Sequence, residues 1–270
     1  MREFWLKNSK TSDNLYYFQD GTVKVFLRNP TGLGLSQSVT TTKYGDVLAN
    51  ATTDQNFTKV GGEVLFWNDS NATKYDNYNK FVEFLTYTPL TLYYKIPTSP
   101  TQTYSMDVEV LSLDKSEVKT DGLLKCNFSL QGLSRWKGSE VTATGTSSSY
   151  SITNSGHIPC GFEIEISGSS MKNPYITLAQ DGEMYGEAKF DGTFSKVYVN
   201  SNDGEQEVIL EQGGSVLPNP LGYQDLSISN GAIYVTFVKL ARGTSTLAIG
   251  MDSGSITGVT IKHTPLYRSV

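Results

Sequence analysis

The chain has 270 residues, more than the roughly 100–150 residues of a typical domain, so its length favours two domains, with a single large β fold as the alternative. Hydrophobic residues make up 38% and charged residues 18%, a balance that excludes both a disordered chain and a membrane-spanning protein. The net charge of -5, without a cluster of Lys and Arg, argues against a protein that reads nucleic-acid sequence, because such proteins neutralise phosphates with basic side chains.

We expect no export signal at the start of the chain. Residues 1–8 contain no apolar run of signal-peptide length, and no stretch of about 18 consecutive apolar residues occurs in the sequence. We therefore expect synthesis in the cytoplasm without export, and no association with a membrane.

Strand signals recur along the whole sequence. Short runs alternate apolar and polar residues, with turn dipeptides between them, a pattern typical of β-sandwiches and barrels. The predicted strands are Thr22–Leu27, Glu63–Trp67, Leu90–Ile96, Met106–Leu113, Leu123–Leu130, Phe162–Ser167, Tyr175–Leu178, Lys196–Asn200, Glu207–Leu210, Ala232–Leu240, Thr246–Ile249 and Gly258–Lys262. Six Asp-Gly or Asn-Gly pairs supply residues that accept the positive φ of tight turns, and they begin at Asp20, Asp121, Asp181, Asp191, Asp203 and Asn230.

One hairpin stands out in the first half of the chain. Val108–Lys119 is followed by the turn residues Thr120–Gly122, and Leu123–Leu130 then supplies a second alternating run. The pattern predicts two antiparallel neighbours joined by a tight turn.

A single segment has helical periodicity. From Lys74 to Thr86, apolar and aromatic residues recur at spacings of three and four, and Pro89 follows as a stop. The residues of this stripe are Tyr75, Tyr78, Phe81, Val82 and Leu85. The stripe favours a helix near 74–86 packed on a sheet, although a ligand platform built from its tyrosines is an alternative.

The composition shifts to Ser, Thr and Gly between Ser134 and Pro159. Such a shift is typical of a domain junction, so the predicted boundary lies near residue 140, with domains at 1–140 and 141–270. The same segment fits a surface strand as well as a linker.

Candidate nucleophiles and metal ligands are few. The two histidines, His157 and His263, each lie beside a Pro-containing turn and outside any cluster of Cys, Asp or Glu, so neither a zinc site nor a histidine-based triad is expected. Cys126 is in phase with the apolar residues of its strand, which predicts burial as a small apolar side chain, and with Cys160 it makes no disulfide framework.

Two acidic segments resemble functional sites. Glu163 and Glu165 share one face of a strand and form a candidate pair for glycoside hydrolysis, but they alternate with apolar residues, which favours a solvated sheet face. Asn200–Glu205 places oxygen donors at alternate positions, as a calcium loop does. It has no carboxylate at the first position and no terminal Glu, so a hairpin turn is the preferred interpretation.

Two further patterns point to ligands only weakly. Gly32–Gly34 resembles the start of a dinucleotide loop, but Gln37 stands where the third glycine belongs and no helical pattern follows. Trp5, Trp67 and Trp136 are candidates for stacking on sugars, and the position of Trp67 at the end of an apolar strand favours its burial. No catalytic, cofactor-binding or metal-binding residue is therefore assigned.

A series of motifs follows a fixed order through the first half of the chain. The motifs are Phe26–Gly34, Gly61–Trp67, the predicted helix with Tyr75, Tyr78 and Phe81, then Pro89–Tyr94, Asp107–Val110, Leu113–Glu117, Asp121–Leu124 and Leu133–Trp136. In order and spacing, this series resembles the N-terminal domain of siphophage distal tail proteins, in particular those of phages and prophages of Gram-positive bacteria. The second half resembles the same family more loosely, through Asn154–Pro159, Asn173–Leu178 and Val238–Leu247.

The resemblance implies a mainly β fold with two domains. The N-terminal one would be a β-sandwich or barrel-like domain with one packed helix, and the C-terminal one a galectin-like antiparallel β-sandwich. It also implies that the N-terminal domains form a hexameric ring around a channel at the end of the tail tube, while the C-terminal domains face outward as platforms.

The resemblance further implies a structural protein of the virion tail tip, or baseplate, made in the cytoplasm of a bacterial host, with no enzymatic activity and no cofactor. Its partners would be itself, the major tail tube protein, the tape-measure protein, and a tail-associated lysin or receptor-binding baseplate proteins. DNA would only pass through the channel, and an acidic wall would let this polyanion slide.

An alternative function is carbohydrate-binding adhesion to the host cell wall through the C-terminal sandwich. A galectin-like topology invites this hypothesis, but fold does not imply function. The second half has no Trp, and its arginines are Arg242 and Arg268, so the usual cluster of sugar-binding side chains is missing. An infectious phage, a prophage and a tail-like bacteriocin all remain open as the source.

Overall fold

Antiparallel strands dominate the chain. The computed structural model describes residues 2–18, 25–34, 38–44, 47–54, 58–67, 70–98, 100–117, 123–217, 227–228, 231–235 and 237–270. Within these residues there are 23 β-strands and one α-helix. The chain divides into two compact units, Met1–Gly138 with Tyr267–Val270 as unit 1, and Ser139–Leu266 as unit 2. The only described helix is too short to cross a membrane.

Unit 1 is built on one antiparallel sheet. Its strands and helix are β1 (Glu3–Lys7), β2 (Leu15–Phe18), β3 (Val25–Thr31), β4 (Ser38–Tyr44), β5 (Val47–Asp54), β6 (Lys59–Trp67), α1 (Asn71–Leu85), β7 (Leu90–Ile96), β8 (Gln102–Glu117), β9 (Leu123–Gly132) and β10 (Trp136–Lys137). Hydrogen-bonded neighbours follow the order β2-β1-β7-β8-β9-β6-β3, and β4 and β5 form a separate two-stranded sheet.

This sheet curves around α1. The ring of Phe81 on the helix lies 4.6 Å from the ring of Tyr16 on β2, 5.9 Å from that of Phe66 on β6 and 5.5 Å from that of Phe128 on β9. Because β2 forms one end of the sheet and β6 lies next to the other end, a flat sheet would not bring all three rings to one helix residue. The two end strands, β2 and β3, accordingly approach each other without pairing in the described residues, so the sheet is curled but not a closed barrel.

The helix lies where it was predicted and packs on the sheet, but its buried face differs from the predicted stripe by several residues. It runs from Asn71 to Leu85, with Ser70 at the N-cap position, three residues earlier than the sequence pattern predicted. Phe81, Phe84 and Leu85 are buried. The prediction missed Phe84, because the apolar stripe is centred on Phe81 and includes both the third and the fourth residue after it.

Two members of the predicted helical stripe lie on the solvent side. Tyr75 and Val82 are 37% and 36% exposed, so their predicted burial is wrong. Each is one residue away from the buried face, where a helix turns by about 100°. The tyrosines therefore do not line one continuous buried stripe.

Unit 2 is a two-sheet sandwich. Its strands are β11 (Val141–Gly145), β12 (Ser149–Asn154), β13 (Phe162–Lys172), β14 (Tyr175–Gln180), β15 (Glu183–Phe190), β16 (Thr193–Asn200), β17 (Glu207–Gln212), β18 (Ser215–Val216), β19 (Ser227–Ile228), β20 (Gly231–Val235), β21 (Gly243–Gly250) and β22 (Ser253–His263). The last strand of the chain, β23 (Leu266–Tyr267), belongs to neither of the two sheets of the sandwich. One sheet has the order β11-β22-β13-β16-β17-β18 and the other β12-β21-β14-β15-β20-β19.

The core of unit 2 lies between these sheets. Ile164 and Ile166 on β13 are fully buried, as is Leu247 on β21 of the other sheet, and all three belong to one apolar cluster. Along β13 and β21, alternate residues are buried in this cluster, as expected for two sheets packed face to face.

The Ser- and Thr-rich segment between the units forms strands. β11 pairs with β22 and β12 pairs with β21, each at the edge of its sheet. Four of the five residues of β11 are exposed. Edge strands with one exposed side tolerate polar residues, which explains why the same composition also fitted a linker.

The predicted strands all overlap observed ones, with one overextension, and residues 22–24 of the predicted strand Thr22–Leu27 lie outside the described residues. Ala232–Leu240 corresponds to β20, which ends at Val235; residues 237–239 are not in a strand, and Leu240 makes an isolated bridge to Cys160. The predicted hairpin is present as the antiparallel pair β8 and β9, and its turn residues 118–122 lie outside the described residues.

The Asp-Gly pairs have two different roles. Asp181 and Gly182 have φ of 53° and 84° and join β14 to β15, which pair as a hairpin. Asp191 and Gly192 instead join β15 to β16, strands that belong to different sheets. The pair thus marks a change of direction in both places and a hairpin in only one.

Candidate functional site

The surroundings of the histidines and cysteines do not favour catalysis or metal binding. His263 is buried, its Nε2 lies 3.2 Å from the carbonyl oxygen of Thr153, and burial lowers its pKa from the ordinary value of 6.5. His157 is exposed. Cys126 is fully buried, which confirms its prediction, and burial raises the pKa of Cys126 and of Cys160 to about 11. Thiols with a raised pKa are poor nucleophiles and metal ligands near neutral pH.

The two acidic segments lie on ordinary surface elements. Glu165 pairs with Lys196 on the neighbouring strand at 2.8 Å, and Glu163 and Glu165 are partly exposed between buried residues, as the alternating pattern predicted. Asn200–Glu205 forms the connection between the paired strands β16 and β17, so the hairpin interpretation is confirmed. Across the described part of the chain, no group of three or more His, Cys, Asp or Glu residues is placed to hold a metal ion.

Gly32 has a backbone role. Its φ is +80°, and a Cβ atom at this position would lie 1.8 Å from the carbonyl oxygen of Lys59 on β6. Gly34 has open space around it. Gly32 therefore allows β3 to approach β6 closely, which explains one glycine of the motif without a nucleotide.

The three tryptophans differ in exposure. Trp136 is 1% exposed and belongs to the core of unit 1, whereas Trp67 is 45% exposed, so the predicted burial of Trp67 is wrong. Trp67 follows the buried Phe66 along β6, and alternation turns it to the outer face. Trp5 stacks between Tyr93 and Tyr17, with centroid distances of 5.2 and 5.7 Å, on the outer face of β7, β1 and β2.

A groove with two arginines lies on the surface of unit 1. It has a volume of about 550 Å³, and its lining includes Arg2, Phe26, Arg28, Pro30 and Leu65. Phe26 is 36% exposed and faces Leu65 across the pair β3 and β6. We call these five residues the arginine groove.

The charges in the arginine groove are not neutralised within the described residues. Arg28 is opposite Glu63 in the β3–β6 register, but Glu63 forms its ion pair with Lys125, and neither Arg2 nor Arg28 has an ion pair with any residue that the structure describes. Two cations beside an exposed aromatic ring are suited to bind an anion that also carries apolar surface.

A bulge on β8 forms a second distinctive surface. Val110 pairs with Leu130 and Ser112 with Ser129, so Leu111 is the extra residue of a β-bulge, and its side chain is 50% exposed. Glu109 and Asp114 are exposed on the same strand and have no ion pair among the described residues. We call Glu109, Leu111 and Asp114 the β8 bulge. Bulges re-aim side chains and commonly mark positions where a strand does more than pair.

Two other pairs of charged side chains on unit 1 form ion pairs. Glu3 lies 3.0 Å from Lys95, and Asp107 lies 2.6 Å from Lys137. Such exposed pairs contribute about 0–1 kcal/mol each. In the described residues, the arginine groove and the β8 bulge instead carry unpaired charges of opposite sign, each next to an exposed apolar side chain.

The chain matches known proteins in sequence over its first half. Residues 3–133 match the family described as "Distal tail protein, N-terminal domain". This range covers nearly all of the continuous part of unit 1. No curated protein matches the chain.

Solved structures match the whole fold. The crystal structure of the Dit protein of phage SPP1, described as a paradigm of the hub adsorption apparatus in phages that infect Gram-positive bacteria, has a TM-score of 0.67 at 14% identity, over 97% of this chain and 98% of that one. Chains of the phage P2 baseplate in its activated conformation, with Ca and with Sr, have a TM-score of 0.56 at 12% identity over the full length of both chains. At these identities the likeness is one of fold.

Proposed function

Because residues 3–133 belong to the distal tail protein family, we propose that the chain is a structural subunit of the distal hub of a phage tail. The family match carries this proposal, and the likeness in fold to a hub protein extends over 97% of the chain. The same evidence points to a role in assembly and away from catalysis, since distal tail proteins are structural parts of phage tails.

The working form of the hub is a hexameric ring at the end of the tail tube, built by unit 1, which corresponds to the N-terminal domain predicted at 1–140. Rings of identical subunits form when one surface of each copy binds a different surface of the next and the rotation closes. Unit 1 offers two such surfaces, the arginine groove and the β8 bulge, and both carry charge that is unpaired in the described residues.

Unit 2, the domain predicted at 141–270, serves as an outward platform with a galectin-like sandwich fold. Its two six-stranded sheets end in short or polar strands, β18 and β19 on one side and β11 and β12 on the other. Such edges are available to neighbouring proteins through strand pairing or side-chain contact. The partners we propose are the tube protein, the tape-measure protein, and a tail-associated lysin or receptor-binding baseplate protein.

DNA passes through the ring without being read. The chain has a net charge of -5, and a channel wall without clustered Lys and Arg does not hold a polyanion. The proposed location is the tail tip of the virion, after synthesis in the bacterial host.

The mass of the purified protein tests the ring. Native mass spectrometry and negative-stain images of one sample give the subunit number and the symmetry together. The proposal predicts a species of six chains with a central hole. A defined species with another subunit number, such as a two-fold dimer, would contradict the hexamer.

Carbohydrate binding is the second candidate and has one observation in its favour. Trp5, Tyr17 and Tyr93 form a stacked, partly exposed aromatic surface, and aromatic faces of this kind pack well against sugar rings. This surface lies in unit 1, whereas the galectin-like topology suggested sugar binding by the C-terminal sandwich, which is unit 2. Binding to a glycan array that is lost in Tyr17→Ala would support this function, and an array without hits would remove it.

A further inference from the structure

We infer that the arginine groove of one copy of the chain receives the β8 bulge of the next copy, an assignment that rests on the proposed hub ring. The groove lies at β3, one end of the sheet of unit 1, and the bulge lies on β8. The two surfaces carry opposite charges and each exposes an apolar side chain, and the ring supplies the second copy that brings them together.

The groove defines what its occupant must carry. Arg2 and Arg28 have no ion pair in the described part of the chain, and Phe26 is exposed beside them. Covering these cations without a counter-charge would cost free energy, because a desolvated charge needs a partner. The occupant therefore brings carboxylates together with an apolar side chain that covers Phe26.

The β8 bulge has this composition. Leu111 projects at the bulge with half of its side chain exposed, and Glu109 and Asp114 stand on either side of it along the strand. Leu111 fits against Phe26 and Leu65, while the carboxylates face the two arginines. Arginine suits this contact because its guanidinium binds a carboxylate through two parallel hydrogen bonds.

The contact has to form between copies. In the sheet order, β9 and β6 lie between β8 and β3. Three strand spacings separate the two surfaces by roughly 14 Å, too far for a side chain of the bulge to reach the groove of its own copy. A pair of copies joined by one such contact still has one free groove and one free bulge, so the contact repeats with further copies until the ring closes.

Two charge reversals test the assignment in the full chain. Arg28→Glu reverses the groove and leaves the bulge intact, whereas Glu109→Arg reverses the bulge and leaves the groove intact. Lys7→Glu is the control, because Lys7 is an exposed cation on β1 of the same sheet without an ion pair in the described residues. The readout is the protein concentration at which half of the chains are in rings, from native mass spectrometry, with circular dichroism showing that each variant is folded.

We expect each reversal to raise this concentration at least tenfold, equivalent to about 1.4 kcal/mol per contact, and Lys7→Glu to change it less than twofold. An equal mixture of the two reversed variants should assemble again, because the reversed groove of one then meets the reversed bulge of the other in an alternating ring. Raising the salt from 50 to 500 mM should weaken wild-type assembly, since exposed charge pairs are screened.

The failure of this inference is distinguishable from the failure of the hub proposal. Rings that form equally well in both reversed variants overturn the assignment and leave the hub intact. Loss of rings in both variants without recovery in the mixture overturns the pairing of these two surfaces. A wild type that never associates overturns the assignment too, and the hub proposal is then decided by the location of the protein in the tail.

Discussion

Replacing Phe81 by alanine should make unit 1 much less stable, because this ring packs the helix against strands from opposite sides of the curved sheet, β2 on one side and β6 and β9 on the other. Phe81 is fully buried, and its ring centroid lies 4.6, 5.8, 5.9 and 5.5 Å from those of Tyr16, Phe18, Phe66 and Phe128. A buried Phe→Ala change costs about 3–5 kcal/mol, from lost transfer energy and the cavity that remains. With four aromatic neighbours the loss should be about 4 kcal/mol, which lowers the Tm of a unit of this size by roughly 12 °C.

Tryptophan emission measures this effect in unit 1 alone. Trp5, Trp67 and Trp136 are the three tryptophans of the chain, and all lie within Met1–Gly138. In Phe81→Ala, the midpoint of thermal or guanidinium unfolding followed by tryptophan fluorescence should therefore shift to lower temperature or denaturant concentration. The part of the far-ultraviolet circular dichroism transition that comes from unit 2 should keep its wild-type midpoint. Val82→Ala is the matched control on the same helix, because Val82 is 36% exposed, and it should change stability by less than about 0.5 kcal/mol.

A loss below about 1 kcal/mol in Phe81→Ala would refute this reasoning, because a fully buried aromatic residue with four ring neighbours cannot be removed at so low a cost. Equal losses in Phe81→Ala and Val82→Ala would also refute it, since the helix would then not present one face to the sheet.

Three other predictions follow from single residues. Gly32→Ala should destabilise unit 1 by about 2 kcal/mol or more, because its φ is +80° and the added methyl group would meet a backbone carbonyl, whereas Gly34→Ala should be nearly neutral in the same denaturant titration. Cys126 and Cys160 should resist a thiol reagent at pH 8 until guanidinium is added, because both thiols are buried. Burial also raises the pKa of both thiols from 9.0 to about 11, so their contribution to the free energy of unfolding should be present below pH 9 and be lost as the pH rises towards 11. Burial lowers the pKa of His263 below 6.5, so unit 2 should be most stable above pH 6.5 and lose stability as the pH falls below it, a dependence that His263→Gln should reduce.

The strand content of the chain is largely predictable from its sequence, because burial of alternate residues leaves a period of two. Leu90–Ile96 is both a predicted and an observed strand with the same ends, and its burial alternates. The strand Glu3–Lys7 is hard to predict because Phe4, Trp5 and Leu6 are consecutive apolar residues, which hides the alternation that buries Phe4 and Leu6. β15 is hard to predict for a different reason, since its charged residues and a glycine interrupt the apolar pattern.

The exposure of single aromatic residues is less predictable. Trp67 ends a strand that is rich in apolar residues, yet the alternation that buries Phe66 turns Trp67 outward. Tyr75 and Val82 lie at the margin of the buried helical face, where a shift of one residue decides between core and solvent. The spacing of apolar residues predicts which face of a helix or strand is buried. The width of that buried face depends on the side chains that pack against it, which the spacing does not show.

The candidate surfaces were not predicted from the sequence. The sequence of Phe26–Gly34 predicts a strand end and fits a motif series, but nothing in the sequence places Arg2 beside Arg28, since the two come together only when the sheet curls. The bulge at Leu111 depends on the register between β8 and β9, which an alternating pattern does not fix. Pairs across strands and bulges are properties of the register, so only the folded chain shows them.

The position of the protein in the particle is the most direct test of the hub. Antibodies raised against the purified chain would be applied, with gold label, to tailed particles released from the strain that encodes it, and the label would be located by electron microscopy. The account predicts label at the distal end of the tail, opposite the capsid. Label on the capsid or along the whole tube, or tailed particles that contain none of this protein, would contradict it.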